Sequence, residues 1–431
     1  MLLRFRAGNH RSLHAPQELS LVASPLDDDP AGLIPCKAAP HGTLVPAAVI
    51  YGANASGKSN VIDALRWMRN AILYSHSRGE PGKEIEREPF ALSVAASTEP
   101  STYDIDFLVK DIHYHYGFEV SNKAFTNEWL YSYPDNRQQT LFERTGDTFK
   151  FGRNFKGKNK TISKLSRGNS LFLSAAAQNN HESILDITEF FRTYQRVVDR
   201  YVDGDLVSRK IAKEGLDQRA LDLLRDIGTG ITESRTVELE IPDDVVQVQK
   251  DIFSAVNRIL VSQGLLDPNV DPVPEKKIVR LELAHKSLSQ SDIFFDLNLE
   301  SAGTQRLVAL LPAALRALDT GSLLVVDELN ASLHTQACEA VLALFSRPET
   351  NPKGAQLITT THDTNLLRSP LLRRDQIWFT EKDDGGATHL YPLTDFRTRK
   401  GDNLEKGYLQ GRYGAIPFAG ALPSCLARGA E

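Results

Sequence analysis

The most specific chemical pattern in the sequence is an unbroken GxxxxGK[ST] motif at Gly52–Ser59. It follows the apolar run Val45–Tyr51, typical of a strand buried on both faces, and precedes residues with the three-and-four spacing of an amphipathic helix. In such a loop, backbone amides surround the β-phosphate of a nucleotide, Lys58 reaches the β- and γ-phosphates, and the Ser59 hydroxyl ligates Mg²⁺. The sequence therefore predicts that ATP and Mg²⁺ bind here. The residues expected to hold the nucleotide are Gly52, Asn54, Ser56, Gly57, Lys58, Ser59 and Asn60.

An acidic pair after a second apolar strand supplies the partner that this loop requires. Leu323–Val326 is the predicted strand, Asp327 at its carboxyl end is expected to hold the Mg²⁺, and Glu328 is the candidate base that accepts a proton from the attacking water. Two adjacent acids could also cap the next element, but beside a phosphate-binding loop the metal and base roles are favoured. Asp327 lies far downstream of Lys58, so a large insertion must separate the two halves of one ATP site.

Three further patterns follow the order found in ABC-type ATPase heads. Glu300–Gln305 (ESAGTQ), directly before an apolar helix, resembles the ABC signature, with Ser301 and Gly303 at the family's serine and second glycine. Ser332–His334 resembles the D-loop, and His362 resembles the catalytic switch histidine. The resemblance implies that Ser301 and Gly303 close on the γ-phosphate held by an opposite subunit. A plain helix N-cap at Ser301 and an ordinary surface histidine at position 362 are the alternatives.

Across most of its length the chain resembles the AAA_15/AAA_21-type group of bacterial ABC-like ATPases. These are similar to the ATPase part of overcoming-lysogenization-defect (OLD) proteins and to the ATPase partners of restriction-linked and abortive-infection systems directed against phage. Besides the motifs above, the resemblance rests on Phe5–Ser12, Glu88–Phe90, Tyr114–Phe118, Leu141–Arg144, Thr361–Asp363 and Gly407–Pro417. One departure is that the Q-loop glutamine of ABC heads has no counterpart between Lys58 and Gln138, which predicts either slow hydrolysis or a Mg²⁺ shell completed by another group.

The spacing of apolar residues predicts how these motifs are positioned. Alternation with period two from Thr102 to Phe151 predicts a small antiparallel sheet, residues from about 180 to 265 carry helical spacing, and the last third alternates helix and strand. The predicted fold is an α/β, ABC-type (Rad50/SMC-like) P-loop ATPase head with an antiparallel β subdomain and a helical insertion. We expect an N-terminal lobe at residues 1–150, a basic loop and helical insertion at 151–285, and a C-terminal lobe at 286–431.

Composition and charge exclude several other classes of protein. The 431 residues are 41% hydrophobic and 24% charged, which is typical of a globular protein and excludes global disorder. No apolar stretch is long enough to span a membrane, and Arg4 and Arg6 interrupt the run that a signal peptide needs, so we expect a cytoplasmic protein without membrane contact. Cys36, Cys338 and Cys425 lack the spacing of a zinc site or a disulfide framework.

One segment is strongly basic although the net charge is −5. Lys150–Arg167 has seven basic and no acidic residues, with Phe151 and Phe155 between them. Such a segment suits contact with a nucleic-acid backbone and base stacking. A solvated loop, or a docking edge for an acidic partner, explains it equally well. Similarly, Gly407–Pro417 could bind a partner or could belong to a helix capped at Asp402.

Two functional hypotheses follow. OLD proteins append a nuclease domain after the switch histidine, whereas few residues follow His362 here, and Asp383–Gly386 is best interpreted as a hairpin turn. We therefore expect no nuclease activity in this chain. The first hypothesis is a defence ATPase whose ATP-driven head-to-tail homodimer, or higher homo-oligomer, senses an invader or controls a separate nuclease or toxin subunit. The second is a DNA-repair ATPase similar to RecF, which would bind DNA through Lys150–Arg167.

Overall fold

The computed structural model describes residues 1–30, 32–197, 204–262, 276–289 and 291–416. Two units can be distinguished, Met1–Arg200 together with Ala313–Glu431, and Tyr201–Pro312. The larger unit is therefore built from both ends of the chain, and the smaller unit from the stretch between them.

Strands and helices are distributed along the whole described chain. The strands are β1 (Leu2–Gly8), β2 (Gln17–Ser20), β3 (Ile34–Pro35), β4 (Thr43–Leu44), β5 (Ala47–Gly52), β6 (Ser101–Val109), β7 (Ile112–Val120), β8 (Phe125–Tyr133), β9 (Gln139–Thr145), β10 (Thr148–Phe151), β11 (Gln195–Val197), β12 (Ile231–Glu240), β13 (Lys277–Lys286), β14 (Asp292–Asp296), β15 (Leu323–Val326), β16 (Gln356–Thr360), β17 (Ile377–Lys382) and β18 (Thr388–Pro392). The helices are α1 (Lys58–Arg78), α2 (Val94–Thr98), α3 (Asn159–Leu165), α4 (Phe172–Gln178), α5 (Glu182–Thr193), α6 (Gly204–Glu214), α7 (Gln218–Asp226), α8 (Asp243–Ser262), α9 (Ala302–Thr320), α10 (Thr335–Ser346) and α11 (Leu404–Leu409). None of these described helices combines the length and the apolar character needed to cross a membrane.

An antiparallel sheet of the larger unit has the strand order β10-β9-β8-β7-β6-β1-β2. Successive side chains of a strand point to opposite faces, so Tyr103, Ile105 and Phe107 of β6 enter the main core while Asp104 and Asp106 face the other side. This sheet is the antiparallel subdomain that the alternation predicted.

A second sheet of the same unit, in the order β11-β15-β16-β5-β17-β18, is parallel except at its β18 edge. All six residues of β5 are buried, which explains its uninterrupted apolar sequence. Parallel neighbours end at the same edge of a sheet, so the residues that follow β5, β15 and β16 converge there. They are the phosphate-binding loop, the Asp327–Glu328 pair and the Thr361–His362 pair.

The position of α1 is fixed by a core that both sheets share. Its apolar stripe of Val61, Leu65, Met68 and Ile72 is buried in the same cluster as residues of β5, β6 and β15. Helices α4 and α5 also pack against α1. The beginning of α1, which carries Lys58 and Ser59, is therefore held by packing along the rest of the helix.

The smaller unit contains the antiparallel sheet β12-β13-β14 with α6 and α7 packed against it. Its limits, Tyr201–Pro312, differ from the helical insertion predicted at 151–285, and three strands accompany its helices. Residues 151–197 belong to the larger unit because β10 pairs with β9 and β11 pairs with β15. Residues 286–312, predicted to begin the C-terminal lobe, lie in the smaller unit.

Candidate functional site

The phosphate-binding loop joins β5 to α1 and approaches β18 too closely for a side chain to intervene. Gly57, immediately before α1, has φ of 107°, and a Cβ added there would lie 2.1 Å from the Thr388 hydroxyl. Ala55 also has a positive φ, 62°. Glycine at position 57 therefore allows the backbone to turn against β18 and to enter α1, whose first N–H groups have no partner within the helix and suit an anion.

Lys58 is the first residue of α1 and its side chain is buried. Its ammonium donates to the carbonyl of Gly52 at 2.9 Å and to that of Ala53 at 3.0 Å, both at the start of the loop. The positive charge is thus held against the backbone whose amides would surround a phosphate, as the predicted role of Lys58 requires.

A chain of hydroxyl groups fixes the loop to β17 and β18. Ser56 Oγ lies 2.7 Å from Thr380 Oγ1, and Thr388 Oγ1 donates to the Ser56 carbonyl at 2.9 Å. Ser12 Oγ lies 2.7 Å from Thr388 Oγ1 and accepts from the Asn60 amide at 2.6 Å. Asn60, expected to contact the nucleotide, thus bonds to Ser12. Ser12 ends the Phe5–Ser12 segment of the family resemblance, whose role was not predicted. Thr380 and Thr388 could not be recognised from the sequence, because threonine is an ordinary strand residue.

Ser59 and Asp327 meet although they are 268 residues apart. The Ser59 hydroxyl donates to Asp327 Oδ1 at 3.1 Å, and the same oxygen accepts from Thr360 Oγ1 at 2.6 Å. Asp327 follows β15 and Thr360 ends β16, so the adjacent parallel strands bring the two residues together. The structure therefore brings together the two residues that the sequence assigned to Mg²⁺.

Glu328 has a positive φ of 52°, which is uncommon outside glycine and turns its backbone sharply after β15. Its backbone N–H donates to Thr360 Oγ1 at 2.7 Å, and its Oε1 lies 3.9 Å from His362 Nε2. The candidate base and the switch histidine are therefore neighbours at the edge where Asp327 lies.

The backbone around His362 is held by Asn330, a residue that the sequence did not indicate. Asn330 Oδ1 accepts from the His362 N–H at 3.1 Å and from Thr361 Oγ1 at 2.9 Å. Two residues further along the chain, Ser332 has a positive φ of 59°, so the D-loop-like segment contains a tight turn. Asparagine after an acidic pair is so common in surface turns that its type alone carries little information.

The signature-like turn lies in the smaller unit. Ser301 precedes α9, and its Oγ accepts from the Thr304 N–H at 3.1 Å, the geometry of a helix N-cap. Gly303 lies in the first turn of α9. The neighbouring Glu300 carboxylate lies 2.7 Å from His285 Nε2, which ties the turn to β13. Ser301 therefore forms a helix N-cap, which was the alternative to a phosphate-binding role. An N-cap does not remove the anion-binding character of the helix end.

The residues at the carboxyl edge of the parallel sheet fit ATP and Mg²⁺. Ser59 Oγ and Asp327 Oδ1 are hard oxygen donors only 3.1 Å apart, which is the kind of ligand pair that Mg²⁺ takes from a protein while keeping several waters. The Gly57 backbone and the Lys58 ammonium supply the phosphate-binding half.

The basic segment forms the end of β10, a loop and α3. Six of its cations are exposed and make no ion pair with the residues that the structure describes: Lys150, Arg153, Lys156, Lys158, Lys160 and Lys164. The predicted aromatic contribution is wrong for Phe155, which is 4% exposed and packs on Phe172 and His181, and Phe151 packs on the same cluster. Phe155 is therefore part of the core, and base stacking cannot depend on it, whereas Phe151 is half-buried.

Two other predicted features have simple structural roles. Asp383–Gly386 forms the hairpin turn between β17 and β18. The second feature is the Gly407–Pro417 segment, which begins inside α11. Asn403 caps this helix, and its side chain accepts from the Lys406 N–H at 2.9 Å. Tyr408 is buried against Phe379. Pro417 lies outside the described residues, and Asp402, the predicted cap, instead accepts from the Arg399 N–H.

Comparison with known proteins identifies one family. A family model described as "AAA domain, putative AbiEii toxin, Type IV TA system" matches residues 47–368, about three quarters of the chain. The match begins at β5 and ends after His362, so it covers the phosphate-binding loop and both acids. No curated protein matches the chain. The matched residues include the P-loop and the paired acids, and the chain belongs to the AAA_21 group of AAA-type ATPase domains.

Proposed function

We propose that this protein hydrolyses ATP in a Mg²⁺-dependent reaction. The observation that supports this most directly is the convergence of Ser59, Asp327 and Glu328 at the edge where the phosphate-binding loop lies. When bound between Ser59 and Asp327, Mg²⁺ supplies positive charge that neutralises the charge developing on the phosphates.

The side chains divide the remaining work. Lys58 stabilises negative charge on the β- and γ-phosphates, and the Glu328 carboxylate accepts a proton from the attacking water. His362, 3.9 Å from Glu328, donates a hydrogen bond to the γ-phosphate, as its resemblance to a switch histidine implies. The Glu328→Gln variant should bind ATP but turn over at least 100-fold more slowly, measured as phosphate release.

We further propose that ATP closes two copies head to tail, in the manner of Rad50/SMC-like heads. In this arrangement Ser301 and Gly303 of one copy complete the site around Lys58 of the other. The polar N-terminus of α9 supports the proposal, because it is suited to a phosphate.

The proposed setting is anti-phage defence, supported by the toxin–antitoxin wording of the family description. The ATP-bound dimer, or a higher homo-oligomer, would sense an invader and control a separate nuclease or toxin subunit, as in OLD-like and abortive-infection systems. The chain itself would contribute ATP binding and hydrolysis and no nuclease activity.

Light scattering tests the association. Glu328→Gln should dimerise with ATP and Mg²⁺, whereas Glu328→Gln combined with Ser301→Glu should stay monomeric, because a carboxylate at the helix end repels the γ-phosphate. A monomeric Glu328→Gln protein at saturating ATP would contradict the head-to-tail proposal and leave the hydrolysis proposal standing.

A RecF-like role in DNA repair is the second candidate, favoured by the six exposed cations of the basic segment. Replacing Lys156, Lys158 and Lys160 by alanine should reduce affinity for a fluorescent DNA duplex by at least tenfold at moderate salt. Equal DNA affinity before and after the substitutions would count against this role.

A further inference from the structure

A large groove lies in the larger unit, at the end of α10 that points away from the ATP site. Its volume is about 1120 Å³, and it lies between Ser346–Glu349 at the end of α10, the segment Leu367–Arg374, the turn Arg399–Leu404 and the loop Asp28–Pro30. We call it the α10 groove. Nothing in the ATP chemistry uses it.

Two of the arginines at the groove belong to its framework. Arg373 is buried and its Nη2 pairs with Asp375 Oδ2 at 3.0 Å. Arg374 is ion-paired with Asp27 and Asp28 and donates to the carbonyl of Thr398. Both charges are already neutralised, so these residues build the wall and are not available to an incoming ligand.

Three other cations at the groove are available. Arg347, Arg399 and Lys400 are exposed, and they form no ion pair with any residue that the structure describes. These three charges can therefore pair with the carboxylates of a ligand.

The rest of the lining favours a peptide over a nucleic acid. Carboxylates of Asp29, Glu349 and Asp402 also line the groove and would repel a phosphate backbone, which carries a charge at every nucleotide. A peptide can place its acidic residues only where the cations lie. Leu371 and Leu372 are half-buried and leave apolar surface beside the charges. Acidic side chains alternating with apolar ones would meet both kinds of surface.

The groove is joined to the ATP site by two short elements. The turn Thr364–Arg368 follows His362 almost directly and leads to the groove, and α10 starts beside the same turn, where Thr335 Oγ1 donates to Asp363 Oδ2 at 2.6 Å. Because Asp363 contacts both the turn and the start of α10, a ligand that displaces either element can also shift the neighbouring His362.

We propose that the α10 groove binds an acidic, leucine-containing segment of a partner protein and that this binding changes the rate of ATP hydrolysis. The regulatory half rests on the proposed ATPase function. The binding half is independent of it and is tested without nucleotide.

Fluorescence anisotropy with a labelled dodecapeptide of alternating glutamate and leucine tests the binding. Wild-type protein should bind it, and Arg347→Glu, Arg399→Glu, Lys400→Glu together should weaken binding by about tenfold or more, since three favourable charge contacts become repulsive. The matched control Lys156→Glu, Lys158→Glu, Lys160→Glu makes the same charge change elsewhere and should bind within about twofold of wild type.

The outcomes separate the alternatives. Absence of peptide binding by the wild type, or equal weakening in both triple variants, overturns the groove proposal. Weakened binding of a twelve-nucleotide single strand in the groove variant, with peptide binding unchanged, also overturns it and assigns the groove to nucleic acid. If the triple variant loses its wild-type melting curve, Arg347→Ala with Lys400→Ala replaces it. An unchanged ATPase rate at saturating peptide refutes only the regulatory half.

Discussion

At the residue level, one hydroxyl group organises both acids of the site. Thr360 Oγ1 donates its single proton to Asp327 Oδ1 at 2.6 Å and accepts from the Glu328 N–H at 2.7 Å. Thr360 is completely buried, so water cannot substitute for it. We infer that Thr360 positions the Mg²⁺ ligand and the candidate base relative to each other.

Thr360→Val should therefore impair catalysis more than nucleotide binding. Valine keeps the shape but leaves the Asp327 oxygen and the Glu328 N–H without their shared partner, and supporting contacts of this kind are worth about 10–100-fold in activity. Steady-state ATPase assays should show a lower kcat with little change in KM, and Thr360→Ser should restore most of it.

Thr359→Val is the matched control for this variant. Its hydroxyl is equally buried in β16 but donates to the backbone carbonyl of Val326 at 3.0 Å and contacts neither carboxylate. A kcat loss as large as that of Thr360→Val would show that general destabilisation of β16, and not positioning, explains the effect.

The sequence predicts the residues that carry the chemistry better than it predicts the residues that position them. Lys58, Asp327 and Glu328 are recognisable because phosphate and metal binding require those residue types in that order. Thr360 and Asn330 act through hydrogen bonds to residues about 30 positions away, and nothing local distinguishes them from ordinary strand and turn residues. Their partners are defined only once β15 and β16 are adjacent.

At the level of elements, the phosphate-binding loop depends on its close contact with β18. Gly57→Ala should weaken ATP binding strongly, because the added Cβ would meet Thr388 at 2.1 Å and alanine disfavours a φ of 107°. Isothermal titration with ATP and Mg²⁺ should show affinity reduced by about 100-fold, the order of effect expected from a strained, displaced loop.

Gly82→Ala is the control for the effect of replacing a glycine that has a positive φ. Gly82 also has a positive φ, 77°, but nothing lies within 4 Å of its added Cβ, and it is remote in sequence from the loop. This variant should lower the melting temperature slightly and keep ATP affinity within about twofold. Normal ATP affinity in Gly57→Ala would contradict the importance of the β18 contact.

The polar face of the antiparallel sheet illustrates how an apparent metal site can be an ion-pair network. Ligand atoms of Asp104, Asp106 and His115 lie within 4.8 Å of one another. However, Arg4 Nε donates to Asp106 Oδ2 at 2.7 Å and its Nη2 lies 3.2 Å from Asp104 Oδ1. The guanidinium supplies the positive charge that these carboxylates need, so we assign the cluster to stability.

This network predicts a specific dependence of stability on pH. Burial opposes ionisation of Asp106, but the hydrogen bond with His113 and the charges of His115 and Arg4 outweigh it and hold the pKa of Asp106 below its ordinary value. A lowered pKa in the folded state gives stability that is present above about pH 4, the unfolded value, and is lost as the pH falls through the folded pKa.

Asp106→Asn should therefore reduce the free energy of unfolding at pH 7 by about 1–3 kcal/mol and flatten its decline below pH 4. Urea unfolding from pH 7 to pH 3 measures both effects. Asp111→Asn, at an exposed turn of the same hairpin, should follow the wild-type curve. If the free energy of unfolding of Asp106→Asn falls with pH as steeply as that of the wild type, Asp106 is not the source of the decline.

At the level of the whole molecule, the two ends of the chain form one unit around one site. The spacing of the P-loop and the acidic pair was enough to predict this, since neither half can bind MgATP alone. The boundary of the insertion could not be predicted in the same way. Residues from about 180 carry the same helical spacing as the rest of the insertion, and the pairings of β10 with β9 and of β11 with β15 show that residues 151–197 belong to the larger unit.

Because the site joins distant parts of the chain, nucleotide should stabilise the larger unit as a whole. A ligand at a hundredfold excess over its Kd adds about 2.7 kcal/mol to the stability of the state that binds it, or roughly 5 °C in Tm for a unit of this size. Calorimetry with a non-hydrolysable ATP analogue should show such a rise with Mg²⁺ and a smaller one with EDTA.

Asp327→Asn should abolish the difference between Mg²⁺ and EDTA, because the carboxylate that meets Ser59 is lost, whereas Glu328→Gln should keep it. An undiminished Mg²⁺ effect in Asp327→Asn would mean that β15 does not contribute to the metal site and that the two ends of the chain are joined by packing alone.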